Sequence, residues 1–259
     1  MRTFRELLTF NDWLKKEKDL FTVNVIKGLI MDGVRKANSG HTGGPLSSAD
    51  FVYILFTEFL KQDPHDPDWI ARDRFVLSAG HESMLLYVLL FLSGRLNLDD
   101  LKEFRQLHSK TPGHPEVEIS GVEATTGPLG QGVGMAIGMA LAEIILDSLF
   151  NKNGFNYLSH FTYVLASDGD LQEPVALGSA ALAAHWKLAK LIMLYDSNKA
   201  QISGQTNRSE STDIATVFEG FGWHIQTIDG HDHQAIREAI QKAQIIDRPS
   251  IIIGQTAMA

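Results

Sequence analysis

Residues 161 to 255 repeat one pattern four times. The apolar runs "FTYVLA" (161–166), "AKLIMLY" (189–195), "WHIQTI" (223–228) and "SIIIGQ" (250–255) have strand length. Between them, Glu173–His185, Thr212–Phe221 and His233–Ile246 carry helical apolar spacing. Strands that read as continuous apolar runs are buried on both faces, and alternation with helices demands parallel pairing with the crossovers packed against the sheet. The pattern predicts an α/β fold: a doubly wound, mostly parallel sheet with helices on both faces. No internal repeat, linker or domain boundary interrupts it, so residues 1–259 read as one unit.

Upstream, the spacing of Val23, Ile26, Ile30 and Val34 predicts a helix over 23–38, ending in "NSGHTGGP". "SSADFVYILFTEFL" reads as a second helix with Ser47 or Ser48 as N-cap and Asp50 in its first turn. "DRFVLSAG" reads as a short strand, and "HESMLLYVLLFLSG" as a buried helix stopped by Gly94. Residues 108–130 hold too many Gly, Pro and Thr for regular structure and form a long loop, a feature that in compact domains tends to be functional. "QGVGMAIGMALAEIILDSLF" (131–150) reads as a helix despite Gly132, Gly134 and Gly138, whose presence implies close packing on a neighbour.

Composition removes several function classes. The chain has 23 basic and 31 acidic residues, a net charge of −8, which argues against nucleic acid or an anionic membrane as its main partner. It has no cysteine, which excludes disulfide and thiol chemistry and fits a reducing, cytoplasmic setting. The N-terminal stretch mixes acidic and basic residues without the apolar core of a secretory signal, and no uninterrupted apolar run approaches a membrane span.

In a sheet of this kind, ligands bind beyond the carboxyl ends of the strands. Four segments are placed to reach that edge. Asp168-Gly169-Asp170 follows one strand directly; Gly169 permits close backbone approach, and a helix starting near Glu173-Pro174 offers free amides to a phosphate. "YDSNKAQISG" (195–204) ends the next strand. Asp168 and Asn198 lie 30 positions apart, the length of one strand–helix–strand unit, so adjacent parallel strands bring both to one edge. A carboxylate, an amide oxygen and backbone carbonyls are hard oxygen ligands suited to Mg²⁺ and a diphosphate. An Asp-Gly turn alone is common after strands, and Asp170 reads as a solvated or capping residue. His41, His81 and His114 each sit beside a glycine in a loop or at a helix start; the remaining histidines, His231 and His233 among them, read as surface or packing residues. The fourth segment, "TTGPLGQG" (125–132), suits close backbone approach, with Leu129 offering an apolar surface to a flat ring.

Taken in order, "SGHTGGPLSSAD", "DRFVLSAGHESMLLY", "TPGHPEV", "TTGPLGQGVGMAIGMALAE", "SDGDLQEP", "YDSNKAQISG", "GW…IDGHD" and "RPSIII" resemble the diphosphate-binding half of transketolase, a thiamine diphosphate enzyme, over most of residues 24–254. The resemblance implies Asp168, Asn198 and the Ala200 carbonyl as ligands of Mg²⁺, with Ca²⁺ an alternative. It implies Gly169 at the diphosphate, and His41 and His81 near the diphosphate and the substrate. His114 would face the substrate hydroxyls; Gly127, Leu129 and Ile202 would pack around the cofactor rings; Glu173 would enter a proton network at a subunit contact. The implied reaction transfers a two-carbon ketol unit between sugar phosphates, with the cofactor as electron sink.

Departures from the family pattern are Ser167 before Asp168 in place of glycine, Thr42 in place of proline, and Gly44 at the next small-residue position. The sequence ends at "GQTAMA", before the family's later glycine-rich loop. On this resemblance the pyrimidine-binding and C-terminal domains are absent, together with the glutamate that engages the aminopyrimidine and the arginines for substrate phosphate. The expectation is a half-site: a homodimer, or a 2+2 assembly with a C-terminal transketolase subunit, inactive as an isolated chain. Rival readings are a non-catalytic binding or regulatory module of the same fold, and half of another ketol-transferring enzyme such as dihydroxyacetone synthase.

Overall fold

A computed structural model describes residues 10–155, 157–202 and 204–258; the first nine residues of the N-terminal stretch lie outside it. Five strands form one sheet: β1 (Arg74–Leu77), β2 (Thr162–Ser167), β3 (Leu191–Ser197), β6 (His224–Asp229) and β7 (Ser250–Gln255), in the spatial order β1-β2-β3-β7-β6. Every pairing in it is parallel. Two short strands, β4 (Ala200–Gln201) and β5 (Gly204–Gln205), pair antiparallel beyond the end of β3.

Strand alternation divides the core in two. Phe75, Leu77, Tyr163, Leu165, Ile192, Leu194 and Ile252 face one side. There they meet α1 (Lys15–Ala37), α3 (Ala49–Ile54), α4 (Ser83–Leu92) and α10 (His233–Ala243). Val76, Val164, Ala166, Met193, Tyr195, Ile251 and Ile253 face the other. They meet α6 (Gln131–Phe150), α8 (Pro174–His185) and α9 (Ile214–Phe221). The doubly wound parallel sheet is therefore present with both faces covered, which is why its strands read as unbroken apolar runs. The remaining short helices are α2 (Gly43–Ser47), α5 (Leu98–Lys102) and α7 (Asp168–Leu171).

Several boundaries differ from the sequence expectation for tertiary reasons. α1 begins at Lys15, eight residues before its first strongly periodic apolar position. Its early turns are charged, and partners elsewhere hold them: Asp19 accepts from Tyr53 Oη at 2.8 Å, from Lys15 Nζ at 3.1 Å and from Arg237 Nη2 at 2.5 Å. The second helix is broken into α2 and α3 and runs out through a π-helical turn at Leu55–Phe59. Neither serine caps it with its side chain: Ser47 Oγ donates to Asp196 Oδ2 at 2.6 Å, and Ser48 Oγ is buried without a hydrogen bond.

Asp50 does not act as a helix-start charge. It accepts from Lys27 Nζ at 2.8 Å and pairs with His231 Nδ1 at 3.0 Å and His233 Nε2 at 2.7 Å. Burial alone would raise its carboxyl pKa; the His233, Lys27 and His231 contacts outweigh that and hold it at about 2. His231 and His233, read from sequence as surface or packing residues, are thus members of a charged cluster tying α3 to α10.

The glycines of α6 separate into two kinds. A methyl at Gly132 would overlap the Ser78 backbone, and one at Gly134 would meet Ser179 Oγ at 3.3 Å, so close packing accounts for both. Gly138 faces open space, and packing does not account for it. α6 is also, among the described residues, the one helix long and apolar enough by length and composition to cross a membrane, because averaging over its length tolerates the glycines that interrupt the run. It packs on β1, β2 and α8 through Val133, Ala136, Ile137 and Ala140. Its buried Glu143 accepts from Lys190 Nζ at 2.6 Å. Replacing Gly132 with alanine should destabilise the protein by roughly 1–3 kcal/mol, because backbone rather than a movable side chain stands in the way. Urea unfolding checks this, with Gly138→Ala as the comparison: Gly138→Ala should be neutral or stabilising.

Candidate cofactor and metal site

The two aspartates after β2 have separate duties. Asp170 is wholly buried and saturated with donors. Ser78 Oγ and Gly130 N donate to its Oδ1 at 2.6 and 2.8 Å, and Ser167 N and Oγ to its Oδ2 at 2.9 Å each. It is a capping residue and not a solvated one. It stitches the end of β1, the loop preceding α6 and the start of α7 into one rim. That rim is built on a helical turn starting at Asp168 itself, so the first helix after β2 is α7 and not, as expected, the helix at Pro174.

Asp168 faces the neighbouring strand's loop. Tyr195 Oη donates to its Oδ1 at 2.7 Å, and Lys199 N to its Oδ2 at 3.1 Å. Burial raises its pKa above the ordinary carboxylate value; the Tyr195 and Lys199 hydrogen bonds only partly offset this, and Asp196 adds repulsion. An anion left under-compensated in this way is a place where a cation gains.

The loop after β3 turns sharply. Lys199 adopts a left-handed conformation with φ 59°, uncommon for a residue other than glycine. That turn brings Ala200 N to donate to Asn198 Oδ1 at 2.9 Å, while Asn198 Nδ2 donates to Asp196 Oδ2 at 2.8 Å. Asp168, Asn198 and Ala200 therefore converge at one sheet edge, as register predicts, since Ser167 is the partner of Asp196 across β2 and β3. Among the described residues no cluster of three His, Asp or Glu side chains is arranged to hold a metal. The Asp168 carboxylate and the Asn198 amide meet here, and with a backbone carbonyl of the Asn198–Ala200 loop they would make a mixed oxygen set. Such a set suits a hard divalent ion and fits Mg²⁺ or Ca²⁺.

The three glycine-flanked histidines also come together. The His41 and His81 rings lie 5.2 Å apart, edge to face. A methyl on Gly127 would sit 3.3 Å from the His114 ring, and one on Gly80 2.8 Å from Gly127 N, so these two loops are in close contact. Burial pushes His81 down to about 4, with His41 and His114 adding to the effect. Burial and Arg105 lower His41 and His114 as well. All three are neutral imidazoles at neutral pH, each offering one ring donor and one acceptor.

Leu129 lies over Gly169: a methyl there would stand 2.9 Å from Leu129 Cδ1 and would have to push the end of that side chain aside. Ile202 is 98% exposed at the tip of the β4–β5 turn, an apolar side chain left uncovered by the described residues. Glu173 is exposed beside Gly130 at the start of α8. Sequence reasoning missed Tyr195 and Asp196, which hold the proposed ligands. It also missed Glu82, a fully buried carboxyl beside His81 with no hydrogen-bond partner on either oxygen. Tyr195 and Asp196 were within reach of register arguments, since they alternate on the strand that delivers Asn198; nothing local marks Glu82.

The family model for the transketolase thiamine diphosphate binding domain matches residues 18–259. The chain belongs to the transketolase family. It is 48% identical over 248 residues to a transketolase of Halalkalibacterium halodurans, covering 95% of this chain and 37% of that protein. It is 51% identical over 245 residues to transketolase 2 of Escherichia coli K12, covering 93% and 36%. Among solved structures, transketolase from Campylobacter jejuni matches with TM-score 0.87 and 43% identity, over 91% of this chain and 37% of that one. Transketolase from Pichia stipitis, in complex with sedoheptulose 7-phosphate, matches with TM-score 0.90 and 42% identity, over 92% and 36%. This transketolase-family chain thus spans little more than a third of the length of the relatives it matches.

Proposed function

We propose that this chain is the N-terminal, diphosphate- and metal-holding part of a transketolase, serving transfer of a two-carbon ketol unit between sugar phosphates. The observation that carries the reading is the convergence of Asp168 with the Asn198–Ala200 loop at the same sheet end as His41, His81 and His114. Asp168, Asn198 and the Ala200 carbonyl would hold Mg²⁺, or Ca²⁺ in its place. Gly169 would let the diphosphate approach the backbone, and Gly127, Leu129 and Ile202 would flank the cofactor rings. The exposure of Ile202 supports this, since an isoleucine exposed at a loop tip gains by being covered. When bound, thiamine diphosphate supplies the electron sink for the ketol unit.

The chain's own contribution is orientation and hydrogen bonding. His41, His81 and His114, held neutral, would donate to phosphate or sugar oxygens without the cost of burying a charge. Glu173 would meet a partner subunit in a proton network, and its exposure at the start of α8 supports this. A pyrimidine-binding partner, in a homodimer or a 2+2 assembly with a C-terminal transketolase subunit, completes the site, and a cytoplasmic setting is consistent with it. With ribose 5-phosphate and xylulose 5-phosphate, this 259-residue chain should show no turnover alone and should gain it when a C-terminal partner chain is added. Robust activity of the chain alone would defeat the half-site reading.

A further inference from the structure

We infer that Asp196 is a positioning residue that decides which end of the Asn198 amide faces the cation. The inference deepens the metal-site reading above and rests on it. A primary amide presents two ends of nearly equal size, of which only the oxygen can ligate a metal. Asn198 sits at a turn where nothing in its shape selects one end. Two contacts select: the Ala200 amide favours the oxygen at its end, and Asp196 Oδ2, the stronger because it is a carboxylate, accepts from Asn198 Nδ2 at 2.8 Å. With the NH₂ end so committed, Oδ1 turns to the other side. There Ala200 N donates to it at 2.9 Å, leaving its second lone pair free.

Asp196 is itself immobilised. It is 1% exposed on β3, and donors from two other elements hold it. Ser47 Oγ, at the end of α2, donates to Oδ2 at 2.6 Å, and Thr256 Oγ1, on the segment leaving β7, donates to Oδ1. Strand alternation gives the preceding residue the matching task on the opposite face, where Tyr195 Oη donates to Asp168 Oδ1 at 2.7 Å. Two consecutive residues of one strand thus orient the two side-chain ligands from opposite faces of the sheet. The segment after β7 also enters the scaffold of the metal loop through Thr256, a link between that segment and cation affinity that no local motif announces.

The test is a mutant cycle on the full chain, read by Mn²⁺ binding in the presence of thiamine diphosphate, using electron paramagnetic resonance of free Mn²⁺. Asp196→Asn offers a donor as well as an acceptor and no longer selects one amide end. It should weaken Mn²⁺ binding by about tenfold, the usual effect of removing an outer hydrogen-bond partner of a metal ligand. In an Asn198→Asp background the ligand has two identical ends, so the same change should cost nothing or strengthen binding by removing a like charge. Equal losses in both backgrounds would mean that Asp196 only supports the fold, and no loss in either would mean that the amide needs no selection; both overturn the inference. Asp168→Ala, run alongside, separates the two levels: if it too binds Mn²⁺ normally, the metal-site reading itself fails.

Discussion

Asp168→Ala should weaken metal-dependent binding of thiamine diphosphate by two orders of magnitude or more, roughly, while the melting temperature moves little. The reason lies in the imbalance at this residue. Asp168 is the one proposed side-chain ligand that carries charge, and a divalent ion held otherwise by an amide and a carbonyl loses most of its electrostatic attraction without it. In the protein alone the same carboxylate is costly: burial raises its pKa and only Tyr195 and Lys199 offset that. Removing it therefore relieves desolvation while leaving the rim intact, because Asp170 and not Asp168 ties Ser78, Gly130 and Ser167 together. Calorimetric titration of thiamine diphosphate with and without Mg²⁺, beside a thermal melt, checks both halves. Unchanged affinity would reduce Asp168 to a turn residue. Collapse of the melt would show that the rim depends on it after all.

The second large effect belongs to Glu82. Its carboxyl is entirely buried against Gly44 of α2, within 2.8 Å of where a Gly44 methyl would stand, and Ser48 Oγ beside it also lacks a good hydrogen bond. Burial first, then Asp196 and Asp170, push its pKa well above the ordinary 4.5. A carboxyl whose pKa is higher folded than unfolded binds more protons in the native state. Its contribution is therefore greatest below about pH 4.5 and is lost as pH rises toward the folded value. Glu82→Gln keeps the shape and the neutral charge, so it should be more stable than the native protein by roughly 1–3 kcal/mol at pH 8, with the advantage shrinking toward pH 5. Urea unfolding at a series of pH values measures this. Parallel pH profiles for the two proteins, or a less stable glutamine variant at pH 8, would show that Glu82 is ionised and paired in solution.

The placement of Glu82 also bears on the site. The carboxyl lies one residue from His81 and packs under the turn that follows His41. Neither histidine owes its shift to Glu82: burial comes first at both, followed by Arg105 at His41 and by His41 and His114 at His81. The Asp50 cluster lies beside this region and reaches it through the outgoing chain, since Ala257 N donates to His231 Nε2 at 3.1 Å. Met258 packs against Gly43 in the same neighbourhood. Two buried carboxyls thus flank the candidate site: Asp50, paired with Lys27 and hydrogen-bonded to His231 and His233, and Glu82, whose burial raises its pKa.

What the sequence determined by itself was everything that repeats with a local period or a fixed strand–helix–strand spacing. Parallel strands buried on both faces can be recognised because burial on both sides abolishes alternation, and "SIIIGQ" and the α6 segment match their elements residue for residue. The meeting of Asp168 with Asn198 follows from the same geometry, because adjacent parallel strands deliver their carboxyl ends to one edge whatever lies between. Tertiary structure alone decided the rest. His231 and His233 find Asp50 across more than 180 positions, Ser47 leaves its expected cap to hold Asp196, and α1 extends through its charged turns because Tyr53 and Arg237 wait for Asp19. A charge or a hydroxyl chooses its partner by distance and desolvation in the folded chain, and neither quantity leaves a period in the sequence.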